Sequence, residues 1–181
     1  MSFKLYKNHY QKISEMMNEF VHLTDKKWDI FEDWKYPLIN NKLFSLVGKP
    51  QGLWISGKLG TGGWMDWCLN ERFYTSSYKC FAVDIKIDYT KLLELSTLED
   101  IKNITEKYKD FTPFEGLDIN IFEDFKLIDW NTVSKDYDGI YIKNYNDIYD
   151  FRQAWTTVID CNCACIWNKR AILQWKYLDI S

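Results

Sequence analysis

The chain has 181 residues, the size of one domain of roughly 100–200 residues, and 46% of them are hydrophobic, enough for a buried core. A formal net charge of −3 excludes a broad, sequence-blind grip on nucleic acid, which needs clustered Lys and Arg, though not a nucleic acid held locally. The 9 Trp, 12 Tyr and 11 Phe supply large core areas and leave rings over to stack on a planar ligand.

The start, MSFKLYKNHYQKISEMM, lacks the apolar stretch of a signal peptide, and no apolar run approaches the ~18 residues of a membrane span. Five cysteines, three of them in one short stretch, fit free thiols in a reducing compartment. A single intracellular, cytoplasmic domain over residues 1–181, with no membrane partner, is the expectation.

Tyr6, Tyr10, Ile13, Met17, Phe20 and Val21 recur at helical spacing and predict a helix to about Leu23. Residues 25–42 mix aromatic rings, charges and Pro37, as loop or short helix. Leu43–Val47 and Gly52–Ser56 predict short strands around the turn-forming Gly48-Lys49-Pro50-Gln51. Gly57–Gly63 is too rich in glycine for regular structure and leads into Trp64-Met65-Asp66-Trp67-Cys68, with Trp64, Trp67 and Cys68 on one helical face. Cys80–Ile87 alternates at strand period, and Ser96-Thr97-Leu98-Glu99 forms a capping box that starts a helix to about Tyr108.

Residues 111–127 carry no clear pattern. A short helix over Asp129–Ser134, a strand over Gly139–Tyr145, and strands over Cys163–Asn168 and Ile172–Leu178 follow, while Phe151–Ile159 is ambiguous. A helix followed by strands interrupted by helices is the order of an α+β domain.

Several segments invite chemistry. Gly57–Gly63 lacks both the Gly-Lys-Ser/Thr ending of a P-loop and the third glycine of a dinucleotide fingerprint, and is expected as a mobile loop with exposed backbone. Cys161, Cys163 and Cys165 alternate along a predicted strand, a pattern of one buried thiol face rather than of paired zinc ligands. His9 and His22 lie far from them, without a surrounding motif. Asp160 stands between the apolar Trp155–Ile159 and the cysteine strand, as a turn residue or a carboxylate aimed into a cleft. Lys49 through Ser56 suits a dinucleotide: Lys49 for phosphate, Gly52 for close backbone approach, Trp54 for stacking. A core Trp on an ordinary strand is the alternative there.

Taken together, Lys49-Pro50-x-Gly52-Leu53-Trp54-x-Ser56, Trp64-x-x-Trp67-Cys68, Asp129-Trp130, Tyr137-Asp138-Gly139-Ile140 and Cys165-Ile166-Trp167-Asn168 form a pattern that resembles the ADP-ribosyltransferase-like fold family. The motifs span residues 49 to 168. The resemblance implies a bent, split mixed β-sheet flanked by helices and clasping NAD. It implies an NAD-dependent mono-ADP-ribosyltransferase or NAD glycohydrolase acting on a protein or nucleic-acid acceptor. Lys49, Gly52, Trp54, Ser56, Trp64 and Trp67 would hold NAD, and Tyr74-Thr75-Ser76 would add polar groups to the cleft. Asp160 would be the catalytic carboxylate, in place of the Glu that such enzymes carry on a late strand, and Cys163 stands where they carry a small polar residue. No metal site is expected. The competing reading is a non-catalytic module using Trp54, Trp64 and Trp67 as a platform for a nucleotide, single-stranded nucleic acid or peptide; a purely structural protein is a third.

Overall fold

The computed structural model of the chain describes residues 3–24, 48–73, 81–110, 127–148, 155–157 and 159–180. Phe3–Met16 forms helix α1, which buries Tyr6, Tyr10 and Ile13 at helical spacing. The helix stops well short of Leu23, and Phe20–Thr24 is a strand, β1. The cause is tertiary. The buried Asp84 carboxylate accepts the Asn18 backbone N–H at 2.7 Å and also the Asn18 side-chain amide, which takes Asn18 out of the helical ladder. β1 then pairs residue by residue with β3 (Phe81–Ile87), where Asp84 lies.

The other elements are β2 (Leu53–Ser56), α2 (Trp64–Asn70), β4 (Leu92–Leu95), α3 (Leu98–Tyr108) and the small β5–β6 pair (Lys109–Asp110 with Leu127–Ile128). They are followed by α4 (Trp130–Asp136), β7 (Gly139–Ile142), α5 (Tyr145–Ile148), β8 (Cys163–Ile166) and β9 (Ile172–Leu178). The capping box of α3 sits one residue later than expected. Thr97 caps the helix by accepting the Asp100 N–H, and Asp100 accepts the N–H groups of Ser96 and Thr97. Gly139–Tyr145 divides between β7 and the start of α5. The predicted strand Leu43–Val47, Cys80, Tyr74-Thr75-Ser76 and most of Phe151–Ile159 lie outside the described residues.

The chain is a mixed α+β fold built on one seven-stranded sheet, in the order β4-β7-β8-β2-β1-β3-β9. Among the described residues only β4 and β7 pair in parallel; the other neighbours are antiparallel. Alternation splits the side chains of β8 between two faces. Cys163 and Cys165 enter a cluster with Ile101 and Tyr108 of α3 and Val133 of α4, while Ala164 and Ile166 enter a second cluster. That second cluster holds Leu92 of β4 and, packed against it, Ile172 of β9, which belong to opposite edge strands. A third cluster, with Tyr10, Ile13, Met65 and Cys68, packs α1 and α2 beside β1 and β3.

The middle of the sheet is its thinnest joint. β2 matches β8 over all four of its residues, from Leu53↔Ile166 to Ser56↔Cys163, whereas β1 and β2 share a single register pair, Val21↔Ser56. Ser56 is the last residue of β2, and on the Leu23 side of that pair no further register pair joins the two strands. Among the described residues no helix is long and apolar enough to cross a membrane.

Candidate functional site

The fork between β1 and β2 opens into a cavity of about 330 Å³, at the small end of the roughly 300–1,000 Å³ of small-molecule sites. Val21, His22 and Leu23 of β1 form one wall and Trp54, Ile55 and Ser56 of β2 the other. Lys49 enters from the chain ahead of β2, and Trp64 from the first turn of α2. Ile159, Asp160 and Cys161, ahead of β8, close the site together with Cys163, the first residue of that strand. Lys49, Trp54, Ser56, Trp64 and Asp160, nominated from the sequence alone, thus line one cavity, although Asp160 is about 110 residues from Lys49 along the chain.

Two nominated residues stand elsewhere. A Cβ on Gly52 would lie 2.6 Å from both the Cys165 Sγ and the Ile166 carbonyl oxygen, so Gly52 is required by the closeness of β2 to β8. It is not a lining residue. Trp67 is not one either; its ring stacks on that of Trp64 at 4.7 Å and 13°, with Phe73 against both. Trp67 supports the Trp64 wall.

His22 is the residue that sequence reasoning passed over. Its Nδ1 lies 2.8 Å from the Trp54 carbonyl oxygen. A carbonyl only accepts, so Nδ1 carries the proton and Nε2 the lone pair. The imidazole thus reaches across the fork to a β2 carbonyl just past the last strand pair. Burial, opposed by this hydrogen bond, lowers the His22 pKa from 6.5, and the neutral ring is the form present at pH 7. One signal was available: in Phe20-Val21-His22-Leu23-Thr24, a lone titratable residue interrupts a run of strand-forming side chains.

Lys49 is exposed, and its ammonium lies 4.3 Å from the centre of the Trp54 ring. Ser56 is buried, and among the described residues no hydrogen bond reaches its hydroxyl. Asp160 is exposed at the cavity margin, in irregular chain ahead of β8. A hydrogen bond that the Cys163 thiol donates to Cys161, then burial, push the Cys163 thiol well up, and burial pushes up that of Cys165. Cys161, Cys163 and Cys165 are all free and buried in one cluster, although Cys161 lies ahead of the strand proper.

The glycine loop is ordered by a carboxylate of its own. Asp66, in the first turn of α2, accepts the backbone N–H groups of Gly60 at 2.8 Å, Gly62 at 2.9 Å and Gly63 at 3.2 Å. These are the amides a phosphate would need, and Asp66 occupies them. Three amides of the loop are thus bonded within the chain, while Gly60, Thr61 and Gly62 are exposed, as expected. Asn162 fastens it further, donating its amide to the Thr61 carbonyl and accepting the Tyr145 N–H.

The remaining parts of the sequence pattern brace the cavity from outside. Trp130 Nε1 donates to the Gly48 carbonyl at 2.8 Å, fixing the chain just before Lys49. Trp167 Nε1 donates to the Tyr137 carbonyl, and the buried Asp138 pairs with Arg170 at 2.7 Å. Comparison of the chain with protein families, with curated proteins and with solved structures finds no match.

Proposed function

We propose that this cavity binds NAD as a substrate and that the protein is an ADP-ribosyltransferase-like enzyme, transferring ADP-ribose to a protein or nucleic-acid acceptor or, with water as acceptor, hydrolysing NAD. The observation that carries the reading is the convergence of Lys49, Trp54, Ser56, Trp64 and Asp160 on one cavity where the central strands fork. The donor set fits the molecule. Trp54 and Trp64 offer ring surface to a planar heterocycle, Lys49 a cation to a phosphate, and the Ser56 hydroxyl is a buried polar group among the described residues without a protein partner. The cavity volume suits one ring-and-ribose half of the dinucleotide, the other half extending past the exposed Lys49.

In the proposed reaction the bond from the ribose C1′ to the nicotinamide nitrogen breaks. Its electron pair passes to that nitrogen, neutralising the pyridinium, while positive charge develops on the ribose. A carboxylate beside the ribose stabilises that charge more in the transition state than in the ground state. Asp160 has this role. It also accepts the proton that the acceptor oxygen or nitrogen loses on bonding to C1′.

The test is a nicotinamide-release assay on the parent protein and Asp160→Asn, with melting temperature measured beside it. Asp160→Asn keeps shape and removes charge at an exposed position, so folding is retained while turnover falls at least about tenfold, or about 1.4 kcal/mol of barrier. Unchanged turnover removes Asp160 from the site. NAD binding without nicotinamide release establishes the second reading, a binding module, which the exposure of Asp160 favours. Absence of NAD binding at millimolar concentration defeats both.

A further inference from the structure

The single β1–β2 pair has a second cavity on its other side. Toward the opposite end of the seam, Phe20 precedes Val21 and Gly57 follows Ser56, and here a space of about 470 Å³ opens. It shares no lining residue with the first cavity. Phe20, Tyr89 and Tyr141 form an aromatic wall, with Tyr141 5.6 Å from Phe20 and 5.4 Å from Tyr89 between ring centres. Rings in direct contact leave no gap to enclose a cation, so they present a surface rather than a cage.

Most polar groups of this cavity are already engaged. Glu19 accepts the Tyr89 hydroxyl, Lys143 faces Glu94 at 3.5 Å, both ends of the Asn162 amide are bonded, and the Thr61 hydroxyl donates to the Lys58 carbonyl. Two groups remain. Among the described residues no hydrogen bond or ion pair reaches the Lys58 ammonium, and none reaches the hydroxyl of the half-buried Tyr141. The space therefore offers an aromatic surface, one uncommitted cation and one uncommitted hydroxyl.

We infer that this second cavity is a binding site for a planar ring bearing an anionic group, the chemistry of a nucleoside monophosphate. The Tyr89 and Tyr141 planes meet at 59°, so the ring stacks on the exposed Tyr89 and meets Tyr141 at a tilt, and Lys58 and the Tyr141 hydroxyl take the anion. The inference does not depend on NAD or on turnover at the first cavity.

Equilibrium dialysis and thermal shift with uridine 5′-monophosphate test it, with uridine and inorganic phosphate as separate arms. Saturable binding is expected, weakened about five- to tenfold by Lys58→Ala or Tyr141→Phe, each removing one polar contact. Trp64→Ala, in the first cavity, leaves it unchanged. No binding at millimolar concentration overturns the inference. So does equal affinity for uridine or phosphate alone, or loss of binding in Trp64→Ala with Lys58→Ala unaffected. NAD binding is measured on the same variants, so failure at one cavity is distinguishable from failure at the other.

Discussion

The Lys49 ammonium stands 4.3 Å over the Trp54 ring, so the charge and the stacking surface of the first cavity form one unit. A cation over an indole at an exposed site contributes about 0.5–1 kcal/mol, little beside its value to an incoming phosphate. Lys49→Met keeps the stem and removes the charge. NAD affinity is expected to fall about tenfold by calorimetry, with a change in melting temperature of no more than about 3 °C.

His22 makes stability depend on pH. Burial holds its pKa below 6.5 in the folded chain, so below about pH 6.5 the unfolded chain binds more protons than the folded one. The stabilisation is full above that value and is lost as pH falls through the folded pKa. Urea midpoints are expected to drop between pH 7 and 5.5, and to drop less in His22→Asn, whose side-chain amide can still donate to Trp54. His9, also lowered by burial and by Lys12, is the background to subtract with His9→Asn. An equal slope in parent and His22→Asn refutes the assignment.

Asp66→Ala removes the acceptor of three loop amides. Hydrogen bonds to a charged group contribute about 1.5–3 kcal/mol, and a loss of about 2–3 kcal/mol in denaturant unfolding is expected. Faster proteolysis between Gly57 and Gly63 should accompany it.

Gly52→Ala separates packing from ligand contact. Its methyl would meet Cys165 Sγ and the Ile166 carbonyl at 2.6 Å, an overpacking cost of about 1–3 kcal/mol. The melting temperature falls, while NAD affinity, measured well below the transition, changes less than in Lys49→Met.

Cys163 and Cys165 are buried, with thiols held protonated. In native protein at pH 8, fragment-ion mass spectrometry of the one peptide that carries both should place no iodoacetamide label on Cys163 or Cys165; both should be labelled after unfolding. Labelling of native Cys163 would show the first cavity reaching deeper than described.

Strands with strong local alternation were legible: β3 and β9 match the expected runs almost to the residue, and β8 and β2 differ only at their ends. The N-terminal region was not, because Met17, Phe20 and Val21 continue a helical spacing that Asp84, some 60 residues away, interrupts. β4 was missed because Leu92-Leu93-Glu94-Leu95 has too little local pattern, and its strand state comes from parallel pairing with β7. At the site, side chains with evident chemistry were found and assigned one location. Gly52 and Trp67 were taken for ligand contacts because sequence does not show which side of a strand or ring is already covered. His22 owes its place to a fork between strands that no local motif encodes.

The pairing of β2 with β8 also sets a schedule for the nascent chain. Leu53 and its partner Ile166 are about 110 residues apart, and at roughly 5–20 residues per second the ribosome needs about 5–20 s to supply the second after the first. Until then β2 has an open edge and the first cavity lacks the wall formed by Asp160, Cys161 and Cys163. Long-range pairing of this kind folds slowly, and a nascent chain arrested before Cys163 would expose the apolar Leu53-Trp54-Ile55 strand, a natural target for a holdase chaperone.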